Sequence, residues 1–239
     1  MIPRIQKQAI KEKLSSSKLL FIQGPRKVGK RTLIIEALGE MNVKYSLFNC
    51  RDKKEKNEVS KENFLLENTS EVIVLLEAQY LENLETIIED VLTGRIKSTL
   101  IVSCSFKPKG EPELIEALRM EGLEINLFAP SFYESAQHFG LPEEERLLEE
   151  RLIYGNYPEV LADLPMAEVT LCEIIQDAVF TNLSNGERIN KGDKLLRMLQ
   201  LLAFNIGDAI SYNDISERCG LDNETVERYI KLLEDAFLL

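Results

Sequence analysis

Residues 19–32, reading LLFIQGPRKVGKRT, constrain the fold more than any other stretch: a short apolar run enters a glycine-bounded loop that ends in lysine and passes into a helical pattern. From Gly24 the spacing is GxxxxGK, the pattern of a phosphate-binding loop set between a strand and a helix. The two glycines let backbone N–H groups turn toward an anion, the helix N-terminus adds partial positive charge, and Lys30 is placed to reach outer phosphate oxygens. The expected phosphate-binding residues are therefore Gly24, Pro25, Arg26, Lys27, Val28, Gly29, Lys30, Arg31 and Thr32. One position departs from the pattern. Arg31 stands where a Ser or Thr hydroxyl would hold Mg²⁺, and Thr32 does not replace it, because one helical step turns a side chain by about 100°.

The second informative stretch is 71–80, EVIVLLEAQY. Its continuous apolar run at 72–76 is that of a strand covered on both faces of a parallel sheet. In hydrolysing phosphate-loop enzymes such a strand ends in an acid that places the metal, next to an acid that polarises the attacking water. Leu76 occupies the first position and Glu77 the second, so Glu77 is the candidate catalytic base and no metal ligand is expected. The competing reading makes Glu77 a surface acid or helix cap.

Around these two stretches the periodicity alternates. Helical spacing at 5–14, 33–38, 81–92 and 113–120 is interleaved with strand patterns at 18–23, 43–48, 98–104 and 123–128. The first helix after the loop is expected to stop at Gly39, residues 49–57 to form a charged connection containing RDKKEK, and 64–66 to form a helical turn. Ser103 and Ser105 end a strand where a polar phosphate sensor would sit. From residue 131 helical patterns follow one another at 133–139, 143–152, 158–164, 167–183 and 194–206. The last segment has a helix, a turn at Gly220, an Asp222/Asn223 cap and a longer helix carrying Val226, Tyr229, Ile230 and Leu233, which is a helix-turn-helix pattern. Acids and bases are mixed on that last helix, which favours a structural module over direct DNA reading.

A formal net charge of −11 over 239 residues argues against a chain whose main task is wrapping nucleic acid. The longest apolar runs are too short to cross a bilayer, and the amphipathic, basic N-terminus lacks a signal-peptide core, so no membrane association is expected. Cys50, Cys104, Cys172 and Cys219 lie far apart with no CxxC pair, which predicts reduced thiols, a cytoplasmic setting and no zinc site. His138, the sole histidine, is assigned a surface or core role.

In this order the pieces resemble the prokaryotic AAA+-class ATPases whose loop reads GPRQVGKT and whose second acidic motif reads DEAQ. The residues carrying the resemblance are GPRKVGK at 24–30, LLEAQ at 75–79, SFYE at 131–134, YGNYPEV at 154–160 and YIKLLEDAFL at 229–238. The resemblance implies an α/β fold: a P-loop, AAA+-like parallel sheet over 1–130, a helical lid over 131–192 and a winged-helix-like module over 193–239. It also implies a further C-terminal domain, so that a chain ending at Leu239 would be a shortened one. Arg4 and Ile5 correspond to the segment that lines the nucleotide base, and Leu123 stands where similar sequences carry Arg. ATP or ADP is the implied ligand. Because Arg31 and Leu76 fall in both halves of one metal site, the expected function is nucleotide binding without Mg²⁺-dependent hydrolysis. The alternatives are an active ATPase with altered metal placement, and a non-nucleotide regulator binding protein, or DNA weakly, through the helix-turn-helix.

Overall fold

Runs of aliphatic residues with no polar alternation form strands only where both faces are covered, and the computed structural model has this arrangement. It describes residues 1–107, 118, 123–178 and 192–239. The chain divides into two compact units, residues 1–174 and 175–239.

In the first unit the elements are α1 (Gln6–Ser16), β1 (Leu19–Gln23), α2 (Lys30–Met41), β2 (Tyr45–Asn49), α3 (Lys53–Val59), β3 (Val72–Leu76), a 3-10 turn at Ala78–Tyr80, α4 (Leu84–Leu92), β4 (Thr99–Cys104) and β5 (Glu124–Asn126). The five strands form one parallel sheet in the order β2-β3-β4-β1-β5. Every residue of β1 and β3 is buried. One face packs Phe21, Leu75 and Val102 against Ile87, Ile88 and Val91 of α4, and the other packs Leu20, Ile22 and Val74 against Ile10 of α1 and Leu33, Ile34 and Ala37 of α2. This covered sheet holds the β1–α2 loop at the carboxyl ends of β1, β3 and β4, where α/β sheets bind ligands.

The expected helix at 113–120 lies outside the described residues except for Leu118. Several boundaries differ from expectation for local reasons. The charged stretch read as a connection folds into α3, because the Asp52 side chain accepts hydrogen bonds from the Lys54 and Glu55 amides and caps a new helix. Helix α2 runs through Gly39 to Met41 and ends instead at Asn42 in the left-handed region, a C-cap that asparagine tolerates. The pattern at 81–92 is shorter as a helix, since Glu77 in the left-handed region first directs the chain into the 3-10 turn.

Past the sheet the helices are α5 (Phe132–Phe139), α6 (Leu141–Arg146), α7 (Leu148–Tyr154), α8 (Pro158–Ala162) and α9 (Ala167–Gln176). The single helix expected at 143–152 is two, because Leu147 (φ −94°, ψ 13°) breaks the pattern between them. Glu144 and Arg151, one on each side of the break, form a buried bidentate pair at 3.0 and 2.7 Å. In the second unit α10 (Gly192–Phe204), α11 (Tyr212–Cys219) and α12 (Asn223–Asp235) pack Leu195, Met198, Ile215, Val226, Tyr229 and Leu233 into their own core. Gly220 at φ +60° makes the turn between α11 and α12, and Ser211 and Asp222 cap the two helices. The part of the 167–183 pattern beyond residue 178 lies outside the described residues.

Candidate functional site

The loop between β1 and α2 has the backbone shape its glycines predict. Gly24 (φ 147°), Lys27 (φ 61°) and Gly29 (φ 95°) all lie at positive φ, the kind of backbone from which concave anion-binding turns are built. Gly24 is required for a second reason: a Cβ built there would lie 1.9 Å from the Leu127 carbonyl oxygen, at the end of β5. The Leu127 amide donates to the Gln23 carbonyl at 2.8 Å, so that close approach is fixed by the sheet.

Lys30 is 6% exposed, and its Nζ donates to the loop's own carbonyls, Gly24 O at 2.8 Å and Pro25 O at 2.6 Å. Burial pulls its pKa from 10.5 down to about 8 against the opposing pull of the Glu77 carboxylate. A buried ammonium whose hydrogen bonds go to carbonyl oxygens is a group that gains by exchanging them for phosphate.

The other cations of the loop go elsewhere. Arg26, 5% exposed, donates from Nη2 to Tyr80 Oη at 2.8 Å and to Glu77 Oε2 at 3.4 Å. Lys27 Nζ reaches Glu159 of α8 at 2.9 Å. Arg31 and Thr32 are exposed on the first turn of α2, and Thr32 lines an apolar cleft together with Val28 and Gly29 of the loop.

Glu77 is engaged on both oxygens: Ser105 Oγ donates to Oε1 at 2.6 Å and Gln79 Nε2 to Oε2 at 2.8 Å, beside the Arg26 contact. The Gln79 amide oxygen in turn accepts from the Ser105 amide at 3.3 Å. Residues 77, 79 and 105 thus tie the ends of β3 and β4 together and join them to the loop through Arg26. Leu76 is 6% exposed and packs in the core with Leu33 and Ile34.

Whether Mg²⁺ suits this site follows from the oxygen ligands it would need. Residue 31 supplies a guanidinium, residue 76 a buried aliphatic chain, and Glu77 is already held by two neutral donors and a cation. The residues present do not fit the ion. Among the described residues no group of three or more His, Cys, Asp or Glu side chains could hold a metal.

Beside the loop lies a cleft of about 450 Å³, whose walls include Ile2, Val28, Leu33, Pro130, Phe139 and Pro158. His138 stands at its edge with its ring 4.6 Å from that of Phe139. The N-terminal segment is fixed across this cleft by Arg4. Its Nη1 donates to Val28 O at 2.8 Å, its Nη2 to Phe128 O at 2.5 Å and its Nε to Glu134 Oε1 at 3.2 Å. Glu134 also accepts from the Ile5 amide at 2.8 Å and the Ser131 amide at 2.8 Å. Burial alone would raise the Glu134 carboxyl pKa, but these amides and the Arg4 guanidinium outweigh it and hold the carboxyl below its ordinary range.

The structure therefore brings Gly24, Arg26, Lys30 and Glu77 into one place, sets Thr32 on the wall of the adjoining cleft and leaves Arg31 exposed. Sequence reasoning missed Tyr80 and the Arg4–Glu134 pair. The S-x-x-E spacing at 131–134 did carry a signal, that of a capping box, which is present at the start of α5. Leu123 is buried, and its carbonyl accepts from the Phe21 amide at 2.9 Å.

Residues 16–136 match a family described as an AAA domain, and residues 145–239 match a domain of unknown function. An uncharacterized protein of Haemophilus influenzae is 24% identical over 91% of this chain, which spans 60% of that relative's length. Among solved structures, the Walker-type ATPase PABY2304 of Pyrococcus abyssi superposes with a TM-score of 0.61 at 14% identity, covering 99% of this chain and 90% of its own. The RuvB Holliday junction branch migration motor of Thermotoga maritima gives 0.45 at 16% identity, over 98% and 88% of the respective chains. Among the described residues no helix is long and apolar enough to cross a membrane.

Proposed function

This chain belongs to the AAA domain family, with the P-loop ATPase fold, and on that premise we propose that it binds ATP or ADP through residues 24–30 without hydrolysing it in a Mg²⁺-dependent way. The observation that carries the reading is the state of Glu77. Both of its oxygens accept hydrogen bonds, from Ser105 and Gln79, and Arg26 lies against it, while its neighbour Leu76 is buried where the metal-placing acid would stand. With these three donors on it, the carboxylate has few acceptor positions left to orient an attacking water.

The loop amides and Lys30 would hold the phosphates, and the apolar cleft between Ile2, Val28 and Phe139 would take the base. In family members that hydrolyse nucleotide, a bound Mg²⁺ neutralises charge developing on the transferred phosphoryl group. Here the chain's own residues bind and orient only: Lys30 gives up its carbonyl partners for phosphate oxygen, and Arg4 holds the N-terminal segment over the cleft.

Steady-state turnover tests the reading. Purified protein with ATP and Mg²⁺ should release phosphate at the rate of the Lys30→Ala variant. A Mg²⁺-dependent rate that Glu77→Ala abolishes would show instead an active ATPase.

A further inference from the structure

We propose that the loop selects nucleoside diphosphates over triphosphates, an inference that rests on the nucleotide-binding reading above. It follows from how the structure distributes charge around the concavity. Of the four loop cations, Lys27 reaches out to Glu159, Arg31 is exposed, and Arg26 is bound to Tyr80 and Glu77. Lys30 is the member of this set that lies against the loop carbonyls.

A phosphate chain held by the loop amides and Lys30 would place its outer end near the groups around Lys30. Among those groups is the Glu77 carboxylate, at the end of β3. The loop amides would meet the inner phosphates and Lys30 the outer ones, one cation for whatever charge the chain carries there. A third phosphate adds negative charge on the side of Glu77, where a divalent ion would ordinarily offset it and where the residues present do not fit one. Arg26 does not relieve the conflict, because its guanidinium is already bound to Glu77 and Tyr80, and turning it to phosphate would strip Glu77 of its counter-charge. Leu76 contributes no polar atom.

Titration calorimetry of ADP and ATP, first with EDTA and then with Mg²⁺, on the native protein, Glu77→Gln and Lys30→Ala, decides the matter. ADP should bind native protein about tenfold more tightly than ATP, the size expected for one uncompensated like-charge contact in a partly exposed site, and Mg²⁺ should leave that ratio unchanged. Glu77→Gln keeps a hydrogen-bonding side chain but removes the negative charge, so the ratio should fall to about threefold or less. Lys30→Ala should weaken both ligands. Equal affinities, tighter ATP, or a ratio that survives Glu77→Gln would overturn the selection while leaving nucleotide binding intact. No heat from either nucleotide would overturn both.

Discussion

Removing Glu134 should cost the first unit far more than an ordinary surface acid, and most of that cost should vanish in the absence of Arg4. The two side chains are 4% and 7% exposed and meet at 3.2 Å. At that separation, an effective dielectric of about 20 makes the attraction about 5 kcal/mol before desolvation is charged against it. Truncating one partner leaves the other buried and uncompensated, which costs about 3–5 kcal/mol. Glu134→Ala also strips acceptors from the Ile5 and Ser131 amides, and the capping-box share of that is about 1 kcal/mol. Urea denaturation of native protein, Arg4→Ala, Glu134→Ala and the double variant, followed by circular dichroism, gives the coupling directly. We expect each single variant to lose about 3–5 kcal/mol and the double to fall short of their sum by about 2 kcal/mol or more. Additivity within about 0.5 kcal/mol would refute the reasoning. The pH dependence has a fixed sign. The folded-state carboxyl lies below its ordinary 4.5, so this contribution is complete above that value and is lost as the pH falls through the lower folded-state value.

Gly24→Ala should destabilise the fold by about 3 kcal/mol or more, because the new Cβ meets a backbone carbonyl at 1.9 Å that β5 pairing holds in place; denaturation within about 1 kcal/mol of native would contradict this. Nucleotide affinity should fall as the pH rises through about 8, since above it the nucleotide-free Lys30 is neutral and must take up a proton to meet phosphate; a flat profile between pH 7 and 9.5, by calorimetry, would remove Lys30 from the site. Duplex DNA should bind weakly and without sequence preference, given Glu224, Glu227 and Glu234 among Arg228 and Lys231 on α12, and a nanomolar preferred site at physiological salt would count against that account.

The sheet and the loop were legible because their signals are local. Val72–Leu76 has no polar alternation, so it reads as a strand covered on both faces, and GxxxxGK states its own backbone geometry. Helix α3 was hidden because a run of lysines looks like solvated chain unless the Asp52 cap is weighed with it. The break at Leu147 was hidden for a different reason: the apolar spacing continues through it, and the buried Glu144–Arg151 pair that spans it is invisible in hydropathy. Within the site, spacing identified the residues but not their partners. Arg31 takes the position of the expected hydroxyl and is exposed on the first turn of α2, whereas it is Arg26 that reaches the Glu77 carboxylate. Arg4 and Glu134 are joined across 130 positions of chain, a distance at which pattern carries no pairing information.

The most direct test of a phosphate loop that works without its metal is an equilibrium titration of a fluorescent adenine nucleotide into native protein and Lys30→Ala, with EDTA and then with Mg²⁺. The account predicts saturable binding to the native protein, the same dissociation constant in EDTA and in Mg²⁺, and a loss of affinity of at least tenfold in Lys30→Ala, as expected for removing a charge-assisted contact to phosphate. Binding that appears only with Mg²⁺, or that Lys30→Ala leaves unchanged, would contradict it.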